Sequence, residues 1–301
     1  KRQAFNFPIW GMLEKIAVNF MAGVAAVVKP SEYTSFLTTA MVKEIIKSGI
    51  LPKGSLQIIP GLGRGILDHV DHRDVVTFTG SGATGKILKS HPNILAQSVP
   101  FNMEADSLNA CVLGKDAVPG TAEFDLFVKE VHKEMTVKTG QKCTAVRRVL
   151  VPENTIDLVQ EALISRLGKT ALGNPDNKEV RMGALATKIQ VERVKENVEL
   201  LMKSQEKVYG SLEKIPLIDA QFEKGCFFSP ILFRNEQPFL KDDVHHVEAF
   251  GPVSTLIPYK DMEEAVAIVE MGKGSLVTSI VTNDDEIAKT FVTEAAHMNG
   301  C

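Results

Sequence analysis

The spacing of hydrophobic positions changes period several times along the chain. Leu13, Ile16, Ala17 and Phe20 recur at helical spacing, and the unbroken Ala25-Ala26-Val27-Val28 then reads as a short buried strand. Leu37, Ala40, Met41 and Ile45 mark a second helix, closed by Gly49 and Pro52. Leu56 to Ile59 is a second strand, ended by Pro60-Gly61, and Val75 to Thr79 is a third after a short helix. Phe124, Phe127, Val128, Val131 and Met135 predict a strongly amphipathic helix, and Val146 to Val151 predicts a strand. Ile156, Val159, Leu163 and Leu167 mark another helix, as do Val191, Val194, Val198 and Leu201. Phe227-Phe228, Val253 to Ile257 and Val277 to Val281 read as strands, with helices near Glu263 to Met271 and Asp285 to Ala295. Alternation of this kind predicts an α/β fold with parallel strands joined by crossover helices. Dinucleotides bind such sheets at the carboxyl ends of the strands.

Composition narrows the class. The 301 residues suffice for roughly two domains, with the boundary expected between Asn109 and Thr121. Hydrophobic residues make up 44% and charged residues 24%, ordinary values for a globular chain. A net charge of −3 argues against a general nucleic-acid binder. No apolar run approaches the ~18 residues of a membrane span. The four cysteines, Cys111, Cys143, Cys226 and Cys301, include no Cys-x-x-Cys pair and no nearby His cluster, so no metal is expected. Adjacent His245 and His246 cannot share a helix face, which also argues against a metal pair. Sparse thiols suit a reducing, cytoplasmic setting. The chain starts at Lys1 without Met and ends on Asn299-Gly300-Cys301 without a cap, so both ends read as cuts inside a longer protein.

Candidate chemistry gathers around Cys143 in GQKCTAVRR. Lys142, Arg147 and Arg148 flank it, and positive neighbours favour the reactive thiolate. The alternative is an inert Cys beside an Arg pair that faces solvent. Glu104, in NMEADSLNA, lies among small and apolar residues, where burial would raise its pKa toward that of a useful base. A structural Glu bonded to a backbone donor fits equally well. Asn6, in FNFPIWG, supplies a side-chain amide able to hold an oxyanion. Gly80-Ser81-Gly82-Ala83-Thr84-Gly85 follows an apolar strand and opens a helix, as a phosphate cradle does and as a plain tight turn does. Gly61-Leu62-Gly63-Arg64-Gly65 lacks the dinucleotide spacing and reads as a turn. Lys29 and Glu32 end the first strand, where they suit a ribose or form a solvated surface pair. Glu248 and Phe250, in EAFGP, suit a ribose and a nicotinamide or a simple turn.

The order of these motifs resembles the aldehyde dehydrogenase superfamily over almost the whole chain. The resemblance implies a Rossmann-type parallel-sheet cofactor domain over 1–115, short of its N-terminal strands, and an α/β catalytic domain over 116–301. It implies Cys143 as nucleophile, Glu104 as hydrolytic base, and Asn6 with the Cys143 amide as oxyanion hole. Lys29 and Glu32 would bind the adenosine ribose, Gly80 to Gly85 would face the pyrophosphate, and Glu248 and Phe250 would position the nicotinamide half. The cofactor is NAD or NADP, with the Glu32 carboxylate favouring NAD. Most members follow the base Glu with Gly-Gly-Lys, whereas this chain has Ala105-Asp106-Ser107-Leu108-Asn109. That string, with GQKCTAVRR and VVTFTGSGATGK, resembles the aldehyde dehydrogenase domain of the phenylacetate ring-opening enzymes. The branch implies a CoA-linked semialdehyde substrate, a homo-oligomer and a hydratase domain fused in the full-length protein. A CoA-acylating relative is the alternative, and such relatives usually lack the base Glu. A non-catalytic relative that keeps the fold is a further one, expected to lose the nucleophile.

Overall fold

The structure, a computed structural model, describes residues 4–273 and 275–298; Lys1 and the Asn299-Gly300-Cys301 end lie outside the described residues. The chain forms two compact units, Lys1–Asp106 and Ser107–Cys301.

The first unit runs α1 (Trp10–Met21), β1 (Ala26–Val28), α2 (Ser35–Lys47), β2 (Leu56–Ile58), β3 (Val76–Gly80), α3 (Gly82–Lys89), α4 (Pro92–Ala96) and β4 (Phe101–Ala105). Its strands pair as two parallel ladders, β1 with β2 and β3 with β4. Met12 and Ile16 of α1 and Val42 of α2 are buried and pack with Ala26, Val28 and Leu56; of the positions read from the sequence, Leu13, Phe20, Met41 and Ile45 are partly buried against this cluster, while Ala17, Leu37 and Ala40 are exposed. The parallel strands need crossovers, and the intervening helices supply them.

The second unit runs β5 (Ala110–Leu113), α5 (Ala122–Thr136), β6 (Arg148–Pro152), α6 (Ile156–Gly168), α7 (Lys188–Leu201), β7 (Glu206–Tyr209), β8 (Ile231–Arg234), β9 (Val253–Tyr259), α8 (Met262–Glu270), β10 (Thr278–Val281) and α9 (Asp285–Ala295). Among the described residues its sheet has six strands in the order β10-β5-β6-β9-β8-β7, parallel except for β7. Period-two alternation divides the central strands between two cores. Cys111, Leu113, Val149 and Val151 face α5 and α6, while Ala110, Val112 and Leu150 face α8 and α9. Phe127, Val131 and Met135 of α5 are almost fully buried, and each such side chain stabilises the unit by about 1.5–3 kcal/mol. Thr121 caps α5 by accepting from the Phe124 N–H, with Glu123 and Asp125 complementing the positive helix end.

Several elements differ from the sequence reading. Phe227-Phe228 is not a strand; both rings are buried just ahead of β8, which starts at Ile231. Aromatic pairs favour strands only as a packing preference, and here packing is met without a ladder. β4, β5, β7 and β8 are strands that the sequence reading does not contain. β5, which lies before a boundary at 115/116, is hydrogen-bonded between β6 and β10 of the second unit.

Candidate active site

In the first unit Glu104 sits on β4, directly across from Thr79 on β3. Its carboxylate accepts from Thr79 Oγ1 at 3.0 Å and from Lys15 Nζ of α1 at 3.0 Å. The expected burial of Glu104 is corrected: its side chain is 38% exposed. The small and apolar neighbours in sequence alternate to the other face of the strand or lie beyond its end, so they do not enclose it. Burial pulls the Lys15 ammonium down, but its hydrogen bond and charge contact with Glu104, helped by Glu14, outweigh that and leave its pKa above the ordinary value.

Asn6 lies just before α1 in a segment fastened on three sides. The Phe5 ring meets Tyr33 edge-on at 6.3 Å, Phe7 meets Trp10 at 5.4 Å, and the Pro8 carbonyl accepts from Thr38 Oγ1 at 3.2 Å. Lys29 follows β1 and is buried; its ammonium donates to the Pro30 carbonyl at 2.7 Å and pairs with Glu32. The ion pair of the alternative reading does form, but its Lys29 end is buried rather than solvated. Ser81 caps α3, accepting from the Thr84 N–H and donating to Thr84 Oγ1. The glycines around it answer to packing. A Cβ on Gly85 would lie 2.4 Å from Met103 Sδ, and one on Gly82 would lie 2.2 Å from Asp106 Oδ2. Asp106 itself has φ +42°, a left-handed conformation that Asp tolerates better than most residues.

In the second unit Cys143 follows α5 through a left-handed turn. Lys138, Thr139 and Gly140 have φ of 53°, 54° and 67°. The turn ends the helix and reverses the chain ahead of the Cys. Buried Asn109, at the head of β5, donates from Nδ2 to the carbonyls of Cys143 at 2.8 Å and Ala145 at 2.9 Å. Cys143 is half-buried, whereas Cys111 is enclosed, and burial, then the Glu134 and Glu130 charges, push its thiol up to about 12. Cys111 is thus protonated and inert at neutral pH.

The cationic flank of Cys143 is present but differs in membership from the sequence reading. Lys142 pairs with Glu134 at 2.6 Å. Arg147 and Arg148 do not face solvent: both are buried, and strand alternation sends them to opposite faces of the sheet, with Arg147 and Lys138 left in charge contact with Cys143. Arg148 donates to the carbonyls of Leu108, Ile268 and Val269 and to His245 Nδ1. Those bonds fill the open end of α8, and His245 Nε2 donates to the Pro238 carbonyl, so both ring nitrogens are engaged. Arg147 donates to the Gly140 and Gly251 carbonyls, each at 2.7 Å. Glu248 accepts from the Ser107 N–H at 3.2 Å, and the Phe250 carbonyl accepts from Gln141 Nε2 at 3.2 Å. The structure thus joins the Cys143 turn to the Glu248–Phe250 loop.

The aldehyde dehydrogenase family profile matches residues 3–298. This chain belongs to the aldehyde dehydrogenase family. It is 43% identical over 297 residues to the 3,4-dehydroadipyl-CoA semialdehyde dehydrogenase of Aromatoleum evansii, covering 99% of this chain and 58% of that protein. Crystal structures of betaine aldehyde dehydrogenase from Staphylococcus aureus in complex with NAD+ are similar throughout. One has a TM-score of 0.85 at 25% identity, covering 97% of this chain and 56% of that one. Another has a TM-score of 0.87 at 26% identity, covering 97% and 56%. The chain spans a little over half the length of these relatives.

The aldehyde dehydrogenase chain has features that fit a dinucleotide in its first unit. The N-terminus of α3, with exposed Ser81 and Ala83, follows the carboxyl end of β3, and Lys29 and Glu32 follow the carboxyl end of β1. Sequence reasoning missed Lys15, Asn109 and Ser107. The available signals were a Lys between the apolar Met12 and Ile16, and an Asn directly before the apolar run of β5.

Proposed function

We propose that the protein carrying this chain oxidises a CoA-linked semialdehyde to its carboxylic acid through a thioester on Cys143, using NAD or NADP. The observation that carries the reading is the 43% identity over 99% of the chain to a CoA-semialdehyde dehydrogenase. The half-buried Cys143, with its carbonyl fixed by Asn109, supports the nucleophile assignment.

In this reading the Cys143 thiolate attacks the aldehyde carbon, and the alkoxide that forms is held by the Asn6 amide and the Cys143 N–H. Lys29, Glu32 and the Gly80–Gly85 turn would hold the adenosine and pyrophosphate portion, and Glu248 with Phe250 the nicotinamide portion. When bound, the dinucleotide would supply the two-electron oxidant that the adduct needs to become a thioester. Glu104 then takes a proton from water, which attacks the thioester carbonyl and releases the acid and the Cys143 thiolate. Lys15 Nζ donates to the Glu104 carboxylate and fixes its position. Glu104 favours water over CoA as the acyl acceptor, because water is far less acidic than a thiol and depends more strongly on a base to attack the thioester.

The test is reduction of NAD and of NADP by the full-length protein. It uses 3,4-dehydroadipyl-CoA semialdehyde, 3-oxo-5,6-dehydrosuberyl-CoA semialdehyde and an unconjugated aldehyde, each with and without free CoA. The expected result is turnover of a CoA-linked substrate without free CoA. Turnover only with free CoA would establish acyl transfer instead, and no turnover of any aldehyde would sink the enzyme reading.

A further inference from the structure

Beyond its charge contact with Cys143, Arg147 makes a set of hydrogen bonds that neither the nucleophile nor the cofactor assignment uses. It precedes β6, and its backbone carbonyl accepts from the Thr255 N–H of β9, so its Cα is fixed by the sheet. From that anchor the guanidinium reaches two loops at once. On one side it donates to the carbonyls of Gly140 at 2.7 Å and Lys142 at 3.4 Å, the residues leading into Cys143. On the other it donates to the Gly251 carbonyl at 2.7 Å, stands 5.6 Å from the centre of the Phe250 ring, and brings Nε to 3.6 Å from Glu248 Oε1. The residue is 4% exposed, so water does not compete for these contacts. The two loops also touch directly: a Cβ on Gly140 would lie 2.2 Å from the Gly251 carbonyl oxygen. Only a rigid planar fork with several donors bridges three carbonyls and a carboxylate in this way.

We infer that Arg147 is a positioning residue that sets the distance between the Cys143 turn and the Glu248–Phe250 loop, and with it the alignment of the nicotinamide portion against the sulfur. This rests on the proposed function for the meaning of that alignment, but the coupling of the two loops does not. A lysine at 147 keeps a cation and loses the fork: one ammonium cannot span both loops. The loops then move independently by fractions of an ångström. Misplacement of about 1 Å at reacting atoms costs on the order of 100-fold in rate.

The experiment compares wild type with Arg147→Lys and Arg147→Met in the full-length protein. Amide hydrogen exchange is read over 138–145 and 248–252 without any substrate, and thermal unfolding is recorded alongside. Stopped-flow cofactor reduction then separates kcat from KM. The inference expects faster exchange in both segments together in Arg147→Lys. It also expects a first-turnover rate lower by about 100-fold, with a far smaller change in the aldehyde KM. Where Arg147→Met does not fold, Arg147→Lys alone decides. Unchanged exchange in either segment overturns the inference. A first-turnover rate within about twofold of wild type, or a rate loss matched by general loosening of the whole second unit, overturns it too. Absence of cofactor reduction by wild type would fail the proposed function and leave the exchange arm to judge the loop coupling by itself.

Discussion

His245 gives a stability prediction that can be worked from the structure. The ring is 2% exposed; its Nδ1 faces the Arg148 guanidinium at 3.1 Å and its Nε2 donates to the Pro238 carbonyl at 3.2 Å. Burial first, then the Arg148 charge, lower its pKa from 6.5 to about 4, with His246 acting in the same direction and Asp242 opposing. Burial also lowers Arg148, to about 10, which still leaves it charged at neutral pH. Protonating His245 would set two cations against each other inside the core. The folded protein thus binds this proton less readily than the unfolded chain. Its contribution to stability is complete above pH 6.5 and is lost as pH falls through the window down to about 4. A gap of about 2.5 pH units at ~1.4 kcal/mol each gives about 3 kcal/mol for the whole window. The perturbation is His245→Gln, which keeps a donor and an acceptor and does not titrate. Urea unfolding of the second unit, followed from pH 7 to pH 4.5 in both proteins, isolates the effect, because the carboxylates are common to both. Wild type should lose about 2–3 kcal/mol more than the variant over that range. Parallel pH curves would refute the argument.

Other consequences concern the site. Gly140→Ala places a Cβ against the Gly251 carbonyl at a φ of +67°, so thermal unfolding should show a loss of about 1–2 kcal/mol from backbone strain alone, with a larger fall in activity. Asn6→Ala should reduce turnover by roughly 100- to 1000-fold while cofactor affinity, read by fluorescence titration, changes little; activity within about twofold of wild type would remove Asn6 from the oxyanion role. Glu32→Thr should raise the NADP to NAD ratio of kcat/KM, since in the proposed role its carboxylate would accept from ribose hydroxyls and repel a 2′-phosphate. A wild type that strongly prefers NADP, with the ratio unmoved on substitution, would show that Glu32 does not set the choice.

Long periodic segments were legible in the sequence because their pattern is repeated many times. Phe124, Phe127, Val131 and Met135 mark α5, and Val194, Val198 and Leu201 mark α7; all are buried as the spacing requires. β5 and β8 escape the sequence reading although β10, equally short, does not; their strand character comes from pairing with segments distant in sequence. The Phe227-Phe228 pair misled for the complementary reason: its apolar character is real and its pairing is absent. In the site, residue types were legible and environments were not. GQKCTAVRR displays two arginines beside a cysteine, but only the sheet turns them to opposite faces and gives their charge to carbonyls. Glu104 stands among small and apolar neighbours, yet its surroundings are set by Thr79 across the ladder and by Lys15 on a helix far away in sequence.

The central claim is that the aldehyde carbon becomes a thioester on Cys143 that Glu104 then clears with water. Glu104→Gln in the full-length protein keeps the size of the side chain and removes the base. Mixed with a CoA-linked semialdehyde and cofactor, it should give one rapid burst of reduced cofactor and then a slow steady state. The intact mass should rise by the acyl group, and peptide mapping should place that mass on Cys143; added to Glu104→Gln, Cys143→Ala should abolish both burst and adduct, and Cys111→Ala should leave both. A Glu104→Gln enzyme that turns over at the wild-type rate, or one that loses the burst with no adduct on Cys143, would contradict the account.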